Sequence, residues 1–353
     1  MIEFTRNDRP TVGVELELYL VDPASGELVD ASNALLDELG AAHPEGTHPK
    51  VKHELFQSTI ELITGVCQSA GEADTDLRST LEEVRSVAES HDVTLMSSGT
   101  HPFALARDQV VTDDHRYLEL IEAMQWPARR LLTCGLHVHV GVPDGPASIA
   151  VLNELKRHLP LFLALSSSSP YFEGEDSGLA SARAKVFEGL PTAGLPPELR
   201  DWDDFESFMT TLLDSACINS IREVWWDIRP HPDFGTVELR MCDAPPTLWE
   251  TSALAALAQT LVAWCLVRLE AGALPEPPRE WTVRENRWLA GRYGTEAALI
   301  VPDPATGRPQ RRPVAELLDE LLDELAPTAV DLGNEAELEL VRHIVRGGSG
   351  THR

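Results

Sequence analysis

Three separate segments of this sequence each carry two polar side chains spaced two residues apart. These pairs are Glu15 and Glu17, His137 and His139, and Glu238 and Arg240. Side chains at i and i+2 project from the same face of a β-strand, so each pair would present its two polar groups together. Carboxylates and imidazoles on one face can bind a cation, and an arginine beside them can stabilise a phosphoryl group. For any one pair alone, an ordinary solvent-exposed face is the simpler interpretation.

The surrounding residues alternate between apolar and polar types, as expected for half-buried strands. This pattern covers residues 11–22, 134–142 and 235–243. Three such faces together are hard to explain as exposed surface, because histidine is uncommon there and none of the four lysines lies on them. If the strands share a sheet, we predict that its polar face binds metal and phosphate.

Two further acids lie in a fourth segment, residues 53–64. Glu54 and Glu61 are seven residues apart. This spacing places them together on a helix, whereas a strand would need a bulge to bring them to one face. The residues around Glu61 favour a bulged strand, and a helix with an exposed acidic stripe is the alternative. Farther along, Arg229 in the segment WWDIRP could clamp a carboxylate or phosphate with two parallel hydrogen bonds.

The abundance of carboxylates favours Mg²⁺ or Mn²⁺ as the bound metal. Acids that face one another repel unless cations lie between them. The competing interpretation is a zinc hydrolase, in which His137 and His139 bind the metal with His101 as the plausible third histidine. The sequence contains neither a GxxxxGK[ST] loop nor a GxGxxG motif after a strand, which argues against a Walker-type site and a dinucleotide fold.

Composition limits the partners. The 353 residues include 29 Lys and Arg against 57 Asp and Glu, for a net charge of −28. Such a chain is a poor ligand for nucleic acid or an anionic membrane. Its five cysteines form no CxxC pair, and its N-terminal residues lack the apolar core of a signal peptide. The apolar segment 252–267 is too short to span a bilayer, so we predict a buried helix and a cytoplasmic protein.

Strands are predicted mostly early in the chain and helices mostly late. Helices are predicted over residues 74–91, 149–165 (ended or kinked at Pro160), 249–271, 279–292, 315–325 and 335–346. Residues 166–202 are rich in Ser, Gly and Pro and predict a long functional loop. We therefore expect an α+β fold with helices on one face of an antiparallel sheet. One catalytic domain is predicted over residues 1–353, with a helical C-terminal part at about 249–346.

Taken together, these segments resemble the glutamate–cysteine ligase type 2 family, which includes the YbdK-like carboxylate–amine ligases. The matching segments follow the family's order and cover about two thirds of the chain. They are GVELELYLVD (13–22), HELFQSTIELITGVC (53–67), SSGTHPF (97–103), CGLHVHVGVPD (134–144), LPLFLALSSSSPYFEGEDSGLASAR (159–183), LPTAGLP (190–196) and WWDIRPHPDFGTVELRMCD (225–243). The resemblance implies a glutamine synthetase-like fold, in which an antiparallel sheet curves around the active site and is flanked by helices.

The resemblance also implies roles for individual residues. The implied ligands of divalent metal are Glu15, Glu17, Glu54, Glu61, His139 and Glu238. The implied nucleotide-binding residues are His137, His139, Arg183 and Arg240. The implied catalytic residues are Glu15, Glu17, Arg229 and Arg240. The family usually reads GVEEEF where this chain has Leu16, and we expect this departure to affect packing, because Leu16 falls on the opposite face of the strand from the acids.

The implied activity is ATP-dependent amide formation with Mg²⁺ or Mn²⁺. A substrate carboxylate would become an acyl phosphate, and an amine would then displace phosphate. Glutamate and cysteine are the family's nominal acid and amine, and a homodimer is its expected assembly. The loop 166–183 is expected to cover the site. Two alternatives stay open at this point, namely the metal-dependent hydrolase and a catalytically silent nucleotide-binding homologue.

Overall fold

Strands and helices are interleaved along the chain. The computed structural model describes residues 2–353. Its strands are β1 (Val12–Val21), β2 (Val51–His53), β3 (Thr59–Ile63), β4 (Thr94–Met96), β5 (Gly135–Gly141), β6 (Tyr171–Phe172), β7 (Glu175–Asp176), β8 (Ile228–His231), β9 (Thr236–Asp243), β10 (Ala298–Pro302) and β11 (Pro309–Pro313). Its α-helices are α1 (Ser32–Ala41), α2 (Ala70–Ser90), α3 (His115–Met124), α4 (Trp126–Arg129), α5 (Gly145–Leu155), α6 (Leu159–Ser166), α7 (Ala182–Phe187), α8 (Trp202–Asp214), α9 (Leu248–Glu270), α10 (Glu280–Tyr293), α11 (Val314–Leu332) and α12 (Glu335–Gly347).

The central sheet has the strand order β2-β3-β1-β5-β9-β8, with β4 paired to the end of β1. Every pairing within it is antiparallel. The three strands with polar pairs are therefore neighbours, as the shared-sheet hypothesis requires. This mixture of helices with an antiparallel sheet confirms the predicted α+β class.

Alternation along β1 decides which face of the sheet is buried. Leu16 and Leu18 lie in the main hydrophobic core, whereas Glu15 and Glu17 line a cavity on the other face. Helix α9 packs behind β1 and β5 and also contacts α2, α5, α11 and α12. The side chain of Leu16 is only 2% exposed. This burial agrees with the expectation that the departure from the family motif at this position affects packing.

Helix α9 has the predicted length but corrects one expectation drawn from its apolar segment. It spans 23 residues and is apolar enough to cross a membrane by length and composition, so the expectation that this segment is too short was wrong. Its most apolar stretch is nevertheless 78% buried inside the fold. Such burial is typical of a core helix, which is what the sequence predicts.

The predicted bulged strand over residues 53–64 is wrong. Strands β2 and β3 pair with each other as two arms of a hairpin. Glu54 consequently lies in the connection between them, and Glu61 lies on β3. The amide and hydroxyl of Thr59 both donate to the carbonyl of Phe56, at 3.0 and 2.8 Å, and this turn separates the two strands.

Three other element boundaries differ from expectation. The predicted helix 149–165 is divided into α5 and α6, because Pro160 lies in the first turn of α6, where its missing N–H costs no hydrogen bond. The predicted loop 166–202 contains α7 and the small β6–β7 hairpin. Helix α11 continues past Pro327, which lies on the exposed side of the helix where water can satisfy the freed carbonyl.

We expect Leu16→Ala to lower the free energy of unfolding by about 2–5 kcal/mol, the usual cost of a cavity left by a buried leucine. Chemical denaturation monitored by circular dichroism measures this change. Val267→Ala is the matched control, because Val267 is 64% exposed on α9 and its truncation should change stability by no more than about 0.5 kcal/mol. Equal effects of the two variants would contradict the assignment of Leu16 to the core.

Candidate active site

The strand register places the predicted polar residues opposite one another. Glu15 on β1 is paired with His137 on β5, and His139 on β5 is paired with Glu238 on β9. The Nδ1 atom of His137 lies 3.0 Å from a carboxylate oxygen of Glu15. Alternating side chains of adjacent antiparallel strands share one face, so local sequence pattern and register together build this row of acids and imidazoles.

A second acid cluster forms on the β3 side of β1. Glu17 is paired directly with Glu61, and Glu54 reaches both from the β2–β3 connection. One oxygen of each of these three carboxylates lies within 4.8 Å of the others. Burial, followed by the charge of Glu17, raises the pKa of Glu54 to about 8. Burial, together with the charge of Glu15, raises the pKa of Glu61 well above its usual range.

These polar groups line one cavity of about 580 Å³. Its wall includes nearly all of the predicted site residues, which are Glu15, Glu17, Glu54, Glu61, His137, His139, Arg229, Glu238 and Arg240. The tenth, Arg183, is outside the wall. The sequence therefore predicted nine of the residues that line the cavity.

The side chains offer three overlapping sets of potential metal ligands. These sets are Glu15 with Glu61 and His137, Glu15 with His139 and Glu238, and Glu17 with Glu54 and Glu61. Within each set the ligand atoms lie within 4.8 Å of one another. Hard carboxylate oxygens with few imidazoles suit Mg²⁺ or Mn²⁺, and a cation would relieve the repulsion that raises the two carboxyl pKa values.

The ring of His139 has one nitrogen in a hydrogen bond and one that faces two carboxylates. Its Nδ1 lies 3.0 Å from the hydroxyl of Thr236. Its Nε2 is buried and makes no hydrogen bond within residues 2–353, although it lies 3.3 Å from Glu15 and 3.6 Å from Glu238. Burial would lower the pKa of His139, but the charges of Glu238 and Glu15 outweigh it and raise that pKa. An unsatisfied nitrogen facing two acids is an arrangement suited to binding a cation.

Arg229 and Arg240 flank Glu238 but differ in their free donors. Arg229 is buried, donates to both oxygens of Glu238 and also donates through Nη1 to the carbonyls of Ile221 and Val224, at 2.5 and 2.9 Å. Arg240 donates to Glu238 through Nη1 only, and its Nε makes no hydrogen bond to any of residues 2–353. Arg240 therefore has donors available to a ligand, whereas those of Arg229 are engaged.

Glu238 keeps its charge despite complete burial. Burial alone would raise its pKa, but the two guanidinium groups of Arg229 and Arg240 hold that pKa well below its usual range. A carboxylate ionised in this way can act as a ligand or fix the arginines beside it.

Two predicted residues lie outside the cavity wall. Arg183 is 2% exposed on α7 and donates to the carbonyls of Met241 and Arg240, so it supports β9 from behind. His101 bonds to the carbonyl of Gly26 and the amide of Ala104, and it belongs to none of the ligand sets found in residues 2–353. His101, the third histidine named by the zinc-hydrolase hypothesis, is therefore not at the site, although His231 also lines the cavity.

Several lining residues were missed by the sequence analysis. They include Lys52, Asp114, Arg116, Tyr117, Arg222, Trp225, His231 and Phe234. Arg116 and Tyr117 lie on α3, a helix that was not predicted. Phe234 lies in the turn between β8 and β9, where an aromatic residue beside Pro, Asp and Gly could have drawn attention.

Comparison with solved structures identifies the class of protein. A crystal structure of glutamate–cysteine ligase from Francisella tularensis in complex with AMP superposes with a TM-score of 0.69. The match covers 100% of this chain and 85% of that one at 13% identity, so it shows the fold alone. The chain therefore has a glutamate–cysteine ligase-like fold.

The chain belongs to glutamate–cysteine ligase family 2, whose model matches residues 11–353. A relative from Frankia casuarinae is 49% identical over 99% of this chain and 90% of its own length, and one from Thermobifida fusca is 47% identical over 100% and 87%. Both carry the name "Putative glutamate--cysteine ligase", with the suffix 2-1 or 2. The resemblance seen in the sequence motifs is confirmed, and the protein is an ATP-dependent carboxylate–amine ligase.

We expect Glu61→Gln to raise the Tm of the metal-free protein and to reduce the further rise when Mg²⁺ is added, since the set of Glu15, His139 and Glu238 lacks Glu61. Both effects follow from removing one of three half-buried, mutually repelling carboxylates that a cation would otherwise join. Differential scanning fluorimetry with EDTA or excess Mg²⁺ measures them. Glu285→Gln, on the exposed surface of α10, serves as the control. If Mg²⁺ stabilises Glu61→Gln as much as the wild type, Glu61 is not a ligand.

Proposed function

We propose that this cavity joins a carboxylic acid to an amine through an acyl phosphate, with the γ-carboxylate of glutamate and the amine of cysteine as the nominal pair. One observation carries the proposal, namely two sets of acid ligands beside an arginine with free donors in a single cavity. The zinc-hydrolase alternative named His101 as its third histidine, and His101 is engaged elsewhere in the fold.

The side chains present fit divalent metal. We propose that Glu15, His139 and Glu238 hold one cation, with the free Nε2 of His139 as its nitrogen ligand. The second set, Glu17, Glu54 and Glu61, would hold another. Bound Mg²⁺ or Mn²⁺ would neutralise the phosphates of ATP and the charge that develops during phosphoryl transfer.

Arg240 is the residue that we propose contacts the transferred phosphoryl group. An oxygen of the acid substrate attacks the γ-phosphorus of ATP, the bond to the β-phosphate oxygen breaks, and ADP and an acyl phosphate result. The free donors of Arg240 would stabilise the negative charge spread over the transferred oxygens. Arg229 is a positioning residue in this scheme, because its N–H donors are used by Glu238 and two backbone carbonyls. It therefore has no free donor with which to form the substrate clamp that was expected from the sequence.

Three basic side chains at the cavity wall favour the proposal that the substrates are amino acids. Lys52, Arg116 and Arg222 form no ion pair with an acidic side chain within residues 2–353. Cations without acidic partners in a chain of net charge −28 are suited to substrate carboxylates that do not react. The acid-rich wall would in turn attract an ammonium group, which after loss of a proton attacks the acyl carbon and displaces phosphate.

We further propose that residues 1–353 act as one catalytic domain, since the main core extends from Val12 on β1 to Ile344 on α12. The ATP requirement supports a cytoplasmic location. A homodimer stays a prediction.

We expect Glu15→Gln to abolish amine-dependent ADP formation, because Glu15 belongs to two of the three ligand sets and contacts both histidines. Its far-ultraviolet circular dichroism should match that of the wild type, since Gln keeps the shape of the side chain. A coupled assay for ADP measures turnover. ADP formation at the wild-type rate would remove Glu15 from the proposed metal site.

Arg240→Lys is expected to lower kcat about 10²–10³-fold, the usual cost of losing an electrostatic contact to the transition state, with a smaller change in the KM for ATP. A lysine retains the charge but lacks the planar fork of donors. Steady-state kinetics with varied ATP separates the two constants. A change confined to KM would mean that Arg240 binds ATP without stabilising phosphoryl transfer.

The proposed function is tested by ADP release from Mg–ATP and glutamate across a panel of amines that includes cysteine. Each amine is compared with an amine-free blank, and the products are analysed by mass spectrometry. Amine-dependent ADP together with an amide of the expected mass would support the proposal and name the amine. ADP release without an amide would contradict it, and ATP binding without turnover for any acid and amine would favour the silent homologue.

A further inference from the structure

A stack of aromatic rings lies at the β8–β9 end of the cavity. Phe234 lines this end and is 54% exposed. Its ring stacks on the buried imidazole of His231, with centroids 4.2 Å apart and planes inclined by 6°. The ring of His139 meets both rings edge-on, at centroid distances of 5.6 Å. Phe234 thus packs against protein through one face and presents the remainder of its ring to the cavity.

The turn that carries Phe234 is held firmly by the N-terminal segment. The side-chain amide of Asn7 donates to the carbonyls of Phe234 and Gly235, both at 2.8 Å. Thr5 donates to two further carbonyls of the turn. Gly235 has φ = +66°, and a Cβ there would lie 1.9 Å from the carbonyl oxygen of Thr5, so the two segments are in close contact. The exposed ring is therefore a fixed plane.

A fixed, exposed phenyl ring beside the charged groups of the cavity fits a flat aromatic ligand that carries phosphates. Aromatic rings stack on nucleobases, and every base offers such a face. His139 lies between the phenyl ring of Phe234 and the acids, because its ring contacts Phe234 while its Nε2 lies 3.3 Å from Glu15. A nucleotide with its base on Phe234 would extend its phosphates towards the carboxylates and Arg240.

We propose that the open face of Phe234 binds the adenine ring of ATP by stacking, with His231 supporting the phenyl ring from behind. This inference rests on ATP being the nucleotide of the proposed function. It assigns a base-binding role to Phe234, which is not one of the proposed metal-binding or phosphate-binding residues. Since stacking makes no hydrogen bond to the base edge, we expect little discrimination by Phe234 itself between adenine and guanine.

Isothermal titration calorimetry of Mg–ATP and of Mg–tripolyphosphate against each variant tests the proposal. Loss of one stacked base usually weakens binding by about ten- to a hundredfold. We expect Phe234→Ala to weaken ATP binding by this factor, to leave tripolyphosphate binding unchanged and to be rescued in Phe234→Tyr. Phe103→Ala is the matched control, because Phe103 is 43% exposed, also packs against a buried histidine and does not line the cavity.

Two results would overturn the inference. ATP binding by Phe234→Ala at the wild-type affinity would show that the ring does not contact the base. Equal losses of ATP and tripolyphosphate binding would mean that the substitution disturbs the phosphate site instead. Failure of the proposed function can be distinguished from these two results. If the wild-type protein binds ATP but forms no amide, the proposed function fails, and the same titrations still test stacking.

Discussion

Mutual repulsion among five buried or half-buried carboxylates is the constraint around which this site is organised. Glu15, Glu17, Glu54, Glu61 and Glu238 line one cavity, and each would be costly to bury alone. At the β9 side, two guanidinium groups pair with Glu238, and two imidazoles contact Glu15. At the β3 side no arginine of residues 2–353 forms an ion pair with the acids, and burial together with the neighbouring carboxylates raises the pKa values of Glu54 and Glu61.

This uneven compensation gives the cavity two chemically different ends. The end near β8 and β9 offers arginine, imidazole and aromatic rings, which suit a nucleotide. The end near β2 and β3 offers an uncompensated acid cluster with unpaired basic groups at its margin, which suits metal and amino-acid substrates. Phosphoryl transfer from one substrate to the other would then occur across the middle of the sheet, where Glu15 contacts both histidines.

The opposite face of the sheet keeps this arrangement rigid. Helix α9 buries residues Glu250–Cys265 behind the strands, and its one amide in that stretch, Gln259, bonds to the carbonyls of Pro10 and Gln68 and to Asn334. The carboxylate of Asp243 at the end of β9 accepts hydrogen bonds from Ser169 and Ser181, at 2.6 and 2.7 Å. These hydrogen bonds fix the serine-rich segment to the sheet at this point.

The sequence by itself determined strands β1, β5 and β9 and the face on which each polar pair lies, because alternation with period two is a local property that does not depend on partner strands. Its motifs also determined the family. Only the tertiary structure decided which strands are neighbours, and hence that Glu17 meets Glu61 while His139 meets Glu238. It also decided which arginine has N–H donors available to a ligand, since Arg229 donates to backbone carbonyls and Arg240 does not. Placement of Glu54, Arg183 and Phe234 depended on a hairpin, a packed helix and a turn, whose contacts join residues far apart in the chain.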